Sequence, residues 1–134
     1  MTLMSETIII VDDDRSVSMS LDRLLTANGF VSKTFSSAEA LKDSGRLADA
    51  RCLILDINLP GASGLELARA IRKDGTKKTA LIFITAYDRM EYRTEAAMLG
   101  ALAYLSKPFA GEKLLTAVRA ALYSTGGPPL KKGP

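Results

Sequence analysis

Five short apolar runs recur at nearly even spacing, each followed by a stretch of helical periodicity. They are Thr7-Ile8-Ile9-Ile10-Val11, Phe30 to Phe35, Cys52-Leu53-Ile54-Leu55, Leu81-Ile82-Phe83-Ile84-Thr85 and Ala103-Tyr104-Leu105-Ser106, and they begin 23, 22, 29 and 22 residues apart. The first, third and fourth are continuously apolar, which is how strands covered on both faces of a parallel sheet read. The second, through Val31-Ser32-Lys33-Thr34-Phe35, is more polar and suits an edge. Between the runs, Val17, Leu21, Leu24 and Leu25 mark a first helix stopped by Asn28-Gly29. Ser37 caps a second, short helix through Ala38, Ala40 and Leu41. Leu67, Ala70 and Ile71 mark a third, ending near Asp74-Gly75. Met90, Thr94, Ala97 and Met98 mark a fourth, ending at Gly100, and Leu114, Leu115, Val118 and Leu122 a fifth. Strand and helix alternating five times predict an α/β domain, a doubly wound parallel sheet with helices on both faces.

Composition narrows the chemistry. A chain of 134 residues, 47% hydrophobic, is one ordinary domain able to bury its own core. Histidine is absent, so His-based triads, His ligands and His general bases are excluded. The one cysteine, Cys52, opens an apolar run and reads as a small core residue, which leaves no sulfur for a structural zinc site. A net charge of +3 is too small to argue for nucleic acid. The basic run Arg72, Lys73, Lys77 and Lys78 reads as a solvated face favoured by a helix C-terminus. No apolar run approaches the ~20 residues of a membrane span, and Met1 to Glu6 lacks a signal-peptide pattern, so no membrane role and a cytoplasmic location are expected. Residues 124 to 134, from Ser124 to Pro134, are rich in Gly and Pro and are expected to be a disordered tail or linker stub after a domain spanning 6 to 123.

In an open α/β sheet ligands bind beyond the carboxyl ends of the strands. Asp12-Asp13-Asp14 follow the first strand, Asp56 the third, Thr85-Ala86 close the fourth, and Lys107-Pro108 follow the fifth. Topology therefore gathers several acids, one hydroxyl and one ammonium at a single edge. Two carboxylates ~4 Å apart at an effective dielectric of ~20 repel by about 4 kcal/mol, so cations must compensate. Lys107 supplies one charge, and a hard divalent ion such as Mg²⁺, held by carboxylates, a carbonyl and water, supplies the rest. Carboxylate, Mg²⁺, Lys and Thr hydroxyl together are what phosphoryl transfer to an aspartate requires.

These segments resemble the receiver domains of bacterial two-component signalling, the CheY-like family. The resemblance rests on Ile8-Ile9-Ile10-Val11-Asp12-Asp13-Asp14, Leu53-Ile54-Leu55-Asp56-Ile57-Asn58-Leu59-Pro60-Gly61-Ala62-Ser63-Gly64, Phe83-Ile84-Thr85-Ala86, and Gly100-Ala101 through Lys107-Pro108-Phe109. It implies a sheet of order 2-1-3-4-5 with five helices. It implies Asp56 as phosphoacceptor, Asp13 as direct Mg²⁺ ligand, Asp12 acting on the metal mainly through water, and Asn58 lending its backbone carbonyl. It implies Thr85 and Lys107 against the phosphoryl group, Tyr104 at an aromatic switch position coupled to Thr85, and a cis Lys107-Pro108 bond. Asp14 receives no ligand role and reads as a cap. Leu59 stands where Met is frequent, a nearly volume-conserving change. The cadence is most similar to receivers of the nitrogen-fixation-regulator type.

The implied partners are a sensor histidine kinase or phosphotransfer protein. A phosphorylation-dependent homodimer through helix 4, strand 5 and helix 5, roughly Met90 to Ala121, is also expected, with no nucleic-acid binding by this domain alone. A stand-alone receiver, a phosphorelay shuttle and an excised piece all stay open. On this reading the chain is a switch and not an enzyme with an external product. The alternative is a small haloacid-dehalogenase-like phosphatase, for which Asp12 and Asp14 have the right spacing but no late acidic pair follows Thr85 or Lys107. A flavodoxin-like cofactor binder is disfavoured, because three acids after the first strand would repel phosphate.

Overall fold

The computed structural model describes residues 7–74 and 79–123. In chain order they form β1 (Thr7–Val11), α1 (Arg15–Ala27), β2 (Ser32–Phe35), α2 (Ala38–Ser44), a 3-10 turn (Leu47–Asp49), β3 (Ala50–Asp56), α3 (Gly64–Lys73), β4 (Ala80–Thr85), α4 (Met90–Met98), β5 (Ala103–Ser106) and α5 (Gly111–Tyr123). The strands make one parallel sheet of order β2-β1-β3-β4-β5, the order the resemblance implied.

Alternation along the strands sorts the core into two layers. Ile8, Ile10, Cys52, Ile54, Ile82 and Ile84 face one way, against Leu21 and Leu25 of α1 and Leu114, Leu115 and Val118 of α5. Ile9, Val11, Leu53, Leu55, Leu81 and Phe83 face the other, against Leu41 of α2, Leu67 and Ile71 of α3 and Ala96 of α4. Both faces being covered explains why β1, β3 and β4 read as unbroken apolar runs. Cys52 is fully buried, and burial pushes its thiol up to about 12, so it serves as packing alone.

Local signals set the helix ends. Asp14 caps α1 by accepting from the amides of Ser16 and Val17, and Ser37 caps α2 through the Ala40 amide. Ser63 and Glu66 form a reciprocal capping box on α3. After α1, Gly29 takes a φ of 89°, a left-handed value that favours glycine.

Three expectations need correction. β2 starts at Ser32, because the Phe30 amide still bonds the Leu25 carbonyl at the end of α1 and the Phe30 ring is buried in the core. β3 is longer than its apolar run and includes Asp56 itself, which pairs in register with Ile84. The stripe assigned to α4 is the wrong face. Met90, Thr94, Ala97 and Met98 are all exposed, and the inward side is Ala96 with Tyr92 and Leu99.

Arg72 also departs from the solvated basic face. Its Nε donates to the Leu99 carbonyl (2.9 Å) and its Nη1 to the Thr79 carbonyl (3.0 Å), tying the end of α3 to the end of α4. Lys73 is exposed, whereas Lys77 and Lys78 lie outside the described residues, as does the expected tail at 124–134. Among the described residues, no helix is long and apolar enough to cross a membrane.

Candidate functional site

Parallel pairing sets the depth of each strand end. Val11 pairs with Leu55, Leu55 with Phe83 and Phe83 with Tyr104, so the residues that follow emerge at one edge of the sheet. Asp12 leaves β1 there, its amide bonded to the Phe35 carbonyl at 3.1 Å. Asp56 closes β3, Thr85 closes β4, and Lys107 follows β5 with its amide on the Thr85 carbonyl at 2.7 Å. The Lys107-Pro108 peptide is cis.

One oxygen each from Asp12, Asp13 and Asp56 lie within 4.8 Å of one another. Asp12 and Asp56 are buried, whereas Asp13 is exposed. The Lys107 ammonium bridges the buried pair, 3.0 Å from Asp12 Oδ2 and 3.2 Å from Asp56 Oδ2. The remaining oxygens of that pair accept backbone amides, Asp14 N onto Asp12 Oδ1 at 2.8 Å and Asn58 N onto Asp56 Oδ1 at 2.9 Å. Burial lifts the Asp12 carboxyl above its ordinary value, against the opposing pull of the Asp14 amide and Lys107. Desolvation alone would lower the Lys107 ammonium, but its hydrogen bonds and charge contacts with Asp12 and Asp56 outweigh it and hold the group above its ordinary value.

The donor set suits a hard cation. It consists of carboxylate oxygens, two buried and one open, with no nitrogen or sulfur among the clustered groups. The Asp13 side opens onto a cleft of about 450 Å³ lined in part by Arg15, Ser18, Thr34 and Ser36. Asp14 stands apart from the cluster, because its carboxylate is committed to capping α1.

Thr85 is fully buried, and its hydroxyl is engaged away from Asp56. It donates to Asn58 Oδ1 at 2.6 Å and accepts from the Tyr87 amide at 3.0 Å. Tyr104 is half-buried, with its hydroxyl donating to Asp88 Oδ1 at 3.0 Å. Arg93 grips the same carboxylate with Nε at 2.9 Å and Nη2 at 2.8 Å, and its guanidinium stacks 4.6 Å from the Tyr104 ring centroid.

Sequence reasoning missed Asp88 and Arg93, whose meeting depends on the turn into α4. It also missed Glu39, whose Oε2 accepts from the Ala62 amide at 3.1 Å and so anchors the loop after Asp56. The one signal for Glu39 was its place in the first turn of α2. Gly64, quoted only as part of a motif, proves to be sterically required. A Cβ there would lie 2.3 Å from the Asp56 carbonyl oxygen.

Known proteins are similar to this chain in sequence and in fold. The chain is 37% identical over 113 residues to the transcriptional regulatory protein FixJ of Azorhizobium caulinodans, covering 84% of this chain and 53% of that protein. It is 41% identical over 116 residues to the response regulator protein TmoT of Ectopseudomonas mendocina, covering 86% of this chain and 52% of that one. The chain thus spans about half the length of these relatives. The crystal structure of FixJ-N superposes with a TM-score of 0.78 at 32% identity, covering 95% of this chain and 99% of that one. The family model described as the response regulator receiver domain matches residues 8–119, nearly all of the described fold, and to that family this chain belongs.

Proposed function

We propose that this chain is the phosphoacceptor switch of a two-component relay, with Asp56 taking a phosphoryl group from a sensor histidine kinase or phosphotransfer protein. The observation that carries the reading is the Lys107 ammonium bridging Asp12 and Asp56 beside an exposed third acid, Asp13. In the transfer, an Asp56 oxygen forms the new bond to phosphorus, the nitrogen–phosphorus bond of the donor breaks, and the imidazole departs with the electron pair. Lys107 holds Asp56 in place and offers positive charge to the incoming oxygens. Asp12, Asp13 and Asp56, with the Asn58 backbone carbonyl, would hold Mg²⁺, which when bound neutralises phosphoryl charge.

Thr85 is the hydroxyl that meets the phosphoryl group, and Tyr104 is the aromatic group that responds. The face of α4, β5 and α5 carries the response to a partner or a second copy of the chain, a reading supported by the exposure of Met90 and Met98 on α4. The chain is not an enzyme with an external product; it carries out its own phosphorylation and dephosphorylation, in the cytoplasm. The phosphatase alternative loses its second acid, because Asp14 is spent on capping α1.

Intact-mass measurement after treatment with a phosphorylated kinase domain or acetyl phosphate tests the assignment. Wild type gains one phosphoryl group with Mg²⁺ and none in EDTA, and Asp56→Asn gains none. Equal labelling of wild type and Asp56→Asn overturns it.

A further inference from the structure

The Thr85 hydroxyl has one proton to give, and in this structure Asn58 holds it at 2.6 Å. The alternative acceptor, the Tyr87 carbonyl, is more distant at 3.2 Å. On its other side, the Asn58 amide nitrogen faces the Tyr92 hydroxyl at 3.4 Å. Tyr92 belongs to α4 and packs half-buried against the core layer that contains Phe83 and Leu55. A buried threonine, a loop amide and a helix tyrosine therefore form one chain of contacts from the acceptor edge to α4.

We propose that the Asn58 side chain is a positioning residue that locks Thr85 in its resting arrangement and links the acceptor loop to α4 through Tyr92. This rests on the reading of Asp56 as acceptor and Thr85 as its phosphoryl contact. A hydroxyl that donates to a phosphoryl oxygen cannot at the same time donate to Asn58, so the two acceptors compete for one proton. Phosphorylation then releases Asn58 Oδ1, and with it the constraint that aims the amide nitrogen at Tyr92. The path is separate from Tyr104, which sits on β5 and is held by Asp88. It is also distinct from the proposed metal contact, which would use the Asn58 backbone carbonyl and not its side chain.

Beryllofluoride, a stable stand-in for a phosphoryl group, is titrated with Mg²⁺ into wild type, Asn58→Ala and Tyr92→Phe while backbone amides are followed by NMR. Asn58→Ala binds beryllofluoride about two- to tenfold more tightly, the worth of one net hydrogen bond. Its amides from Tyr92 to Ala96 already sit, before ligand, near their positions in liganded wild type. In Tyr92→Phe those amides lose most of their ligand-induced shift while those of Ala86 and Tyr87 keep theirs. Asn58→Ser serves in the same way if Asn58→Ala folds poorly. Equal beryllofluoride affinity in wild type and the folded Asn58 variant overturns the lock, and a full α4 shift in Tyr92→Phe overturns the link. Failure of wild type to bind beryllofluoride overturns the reading of Asp56 and the inference with it.

Discussion

Gly64 shows how narrowly the acceptor is seated. The start of α3 runs so close beneath Asp56 that a methyl group would lie 2.3 Å from its carbonyl oxygen, and that atom is backbone and cannot turn aside. Overpacking of this kind typically costs about 1–3 kcal/mol. Gly64→Ala is therefore expected to lower the urea unfolding midpoint by a corresponding amount and to slow labelling of Asp56, both read on the same sample. Asp88 illustrates a different constraint. Its hydrogen bond from Arg93, reinforced by the Tyr104 hydroxyl, holds its carboxyl below the ordinary value of 3.8. A carboxyl depressed by folding contributes stability above its unfolded value and loses that contribution as pH falls through its folded value. The Asp88–Tyr104–Arg93 contact should thus persist through neutral and mildly acidic pH and open only below 3.8, seen as a side-chain NMR titration of Asp88 with its midpoint under that value.

Among the elements, α4 is where pattern and packing part company. Only Ala96 of this helix is fully buried, while Met90 and Met98 are 76% and 81% exposed. Ala96→Leu should destabilise by about 1–3 kcal/mol through overpacking, whereas Met98→Gln should stay within about 0.5 kcal/mol, both measured by urea denaturation. The contrast explains what could be read in advance. β1, β3 and β4 were legible because a strand buried on both faces must be apolar at every position, and Ile8, Leu53 and Ile82 all obey that. α1 and α5 were legible because their apolar stripes face a broad sheet. A helix that lies along the sheet margin and buries one alanine leaves almost no stripe, so its two methionines misled the reading. Asp12, Asp13, Asp56 and Lys107 were placed by topology, and the structure brings them together, whereas Asp14 turns to cap α1 and the Thr85 hydroxyl turns to Asn58. The grip of Asn58 on Thr85 was not legible, because it depends on a rotamer and a loop path that no periodicity encodes.

At the scale of the whole molecule, the site lies where both core layers end. Strands from the middle of the sheet deliver Asp12 and Asp56 at one depth, and α1 and α3 start directly beyond them. A cation bound by the folded edge and not by the unfolded chain stabilises the entire domain by mass action. Mg²⁺ at about one hundred times its dissociation constant should add about 2.7 kcal/mol to unfolding, and a chelator should remove it. Asp13→Ala should abolish most of that increment, since it removes the exposed acid while leaving the buried pair and Lys107 intact.

Lys107 lies 95 positions after Asp12 and 51 after Asp56 in the sequence, yet its ammonium bridges the two. As the chain leaves the ribosome, both acids emerge long before the cation that reconciles them. Until β5 has joined the sheet, the edge lacks the ammonium that pairs with Asp12 and Asp56. The acid edge is thus completed by the strand that joins the sheet at its far margin, and β5 must dock before the two carboxylates share their cation.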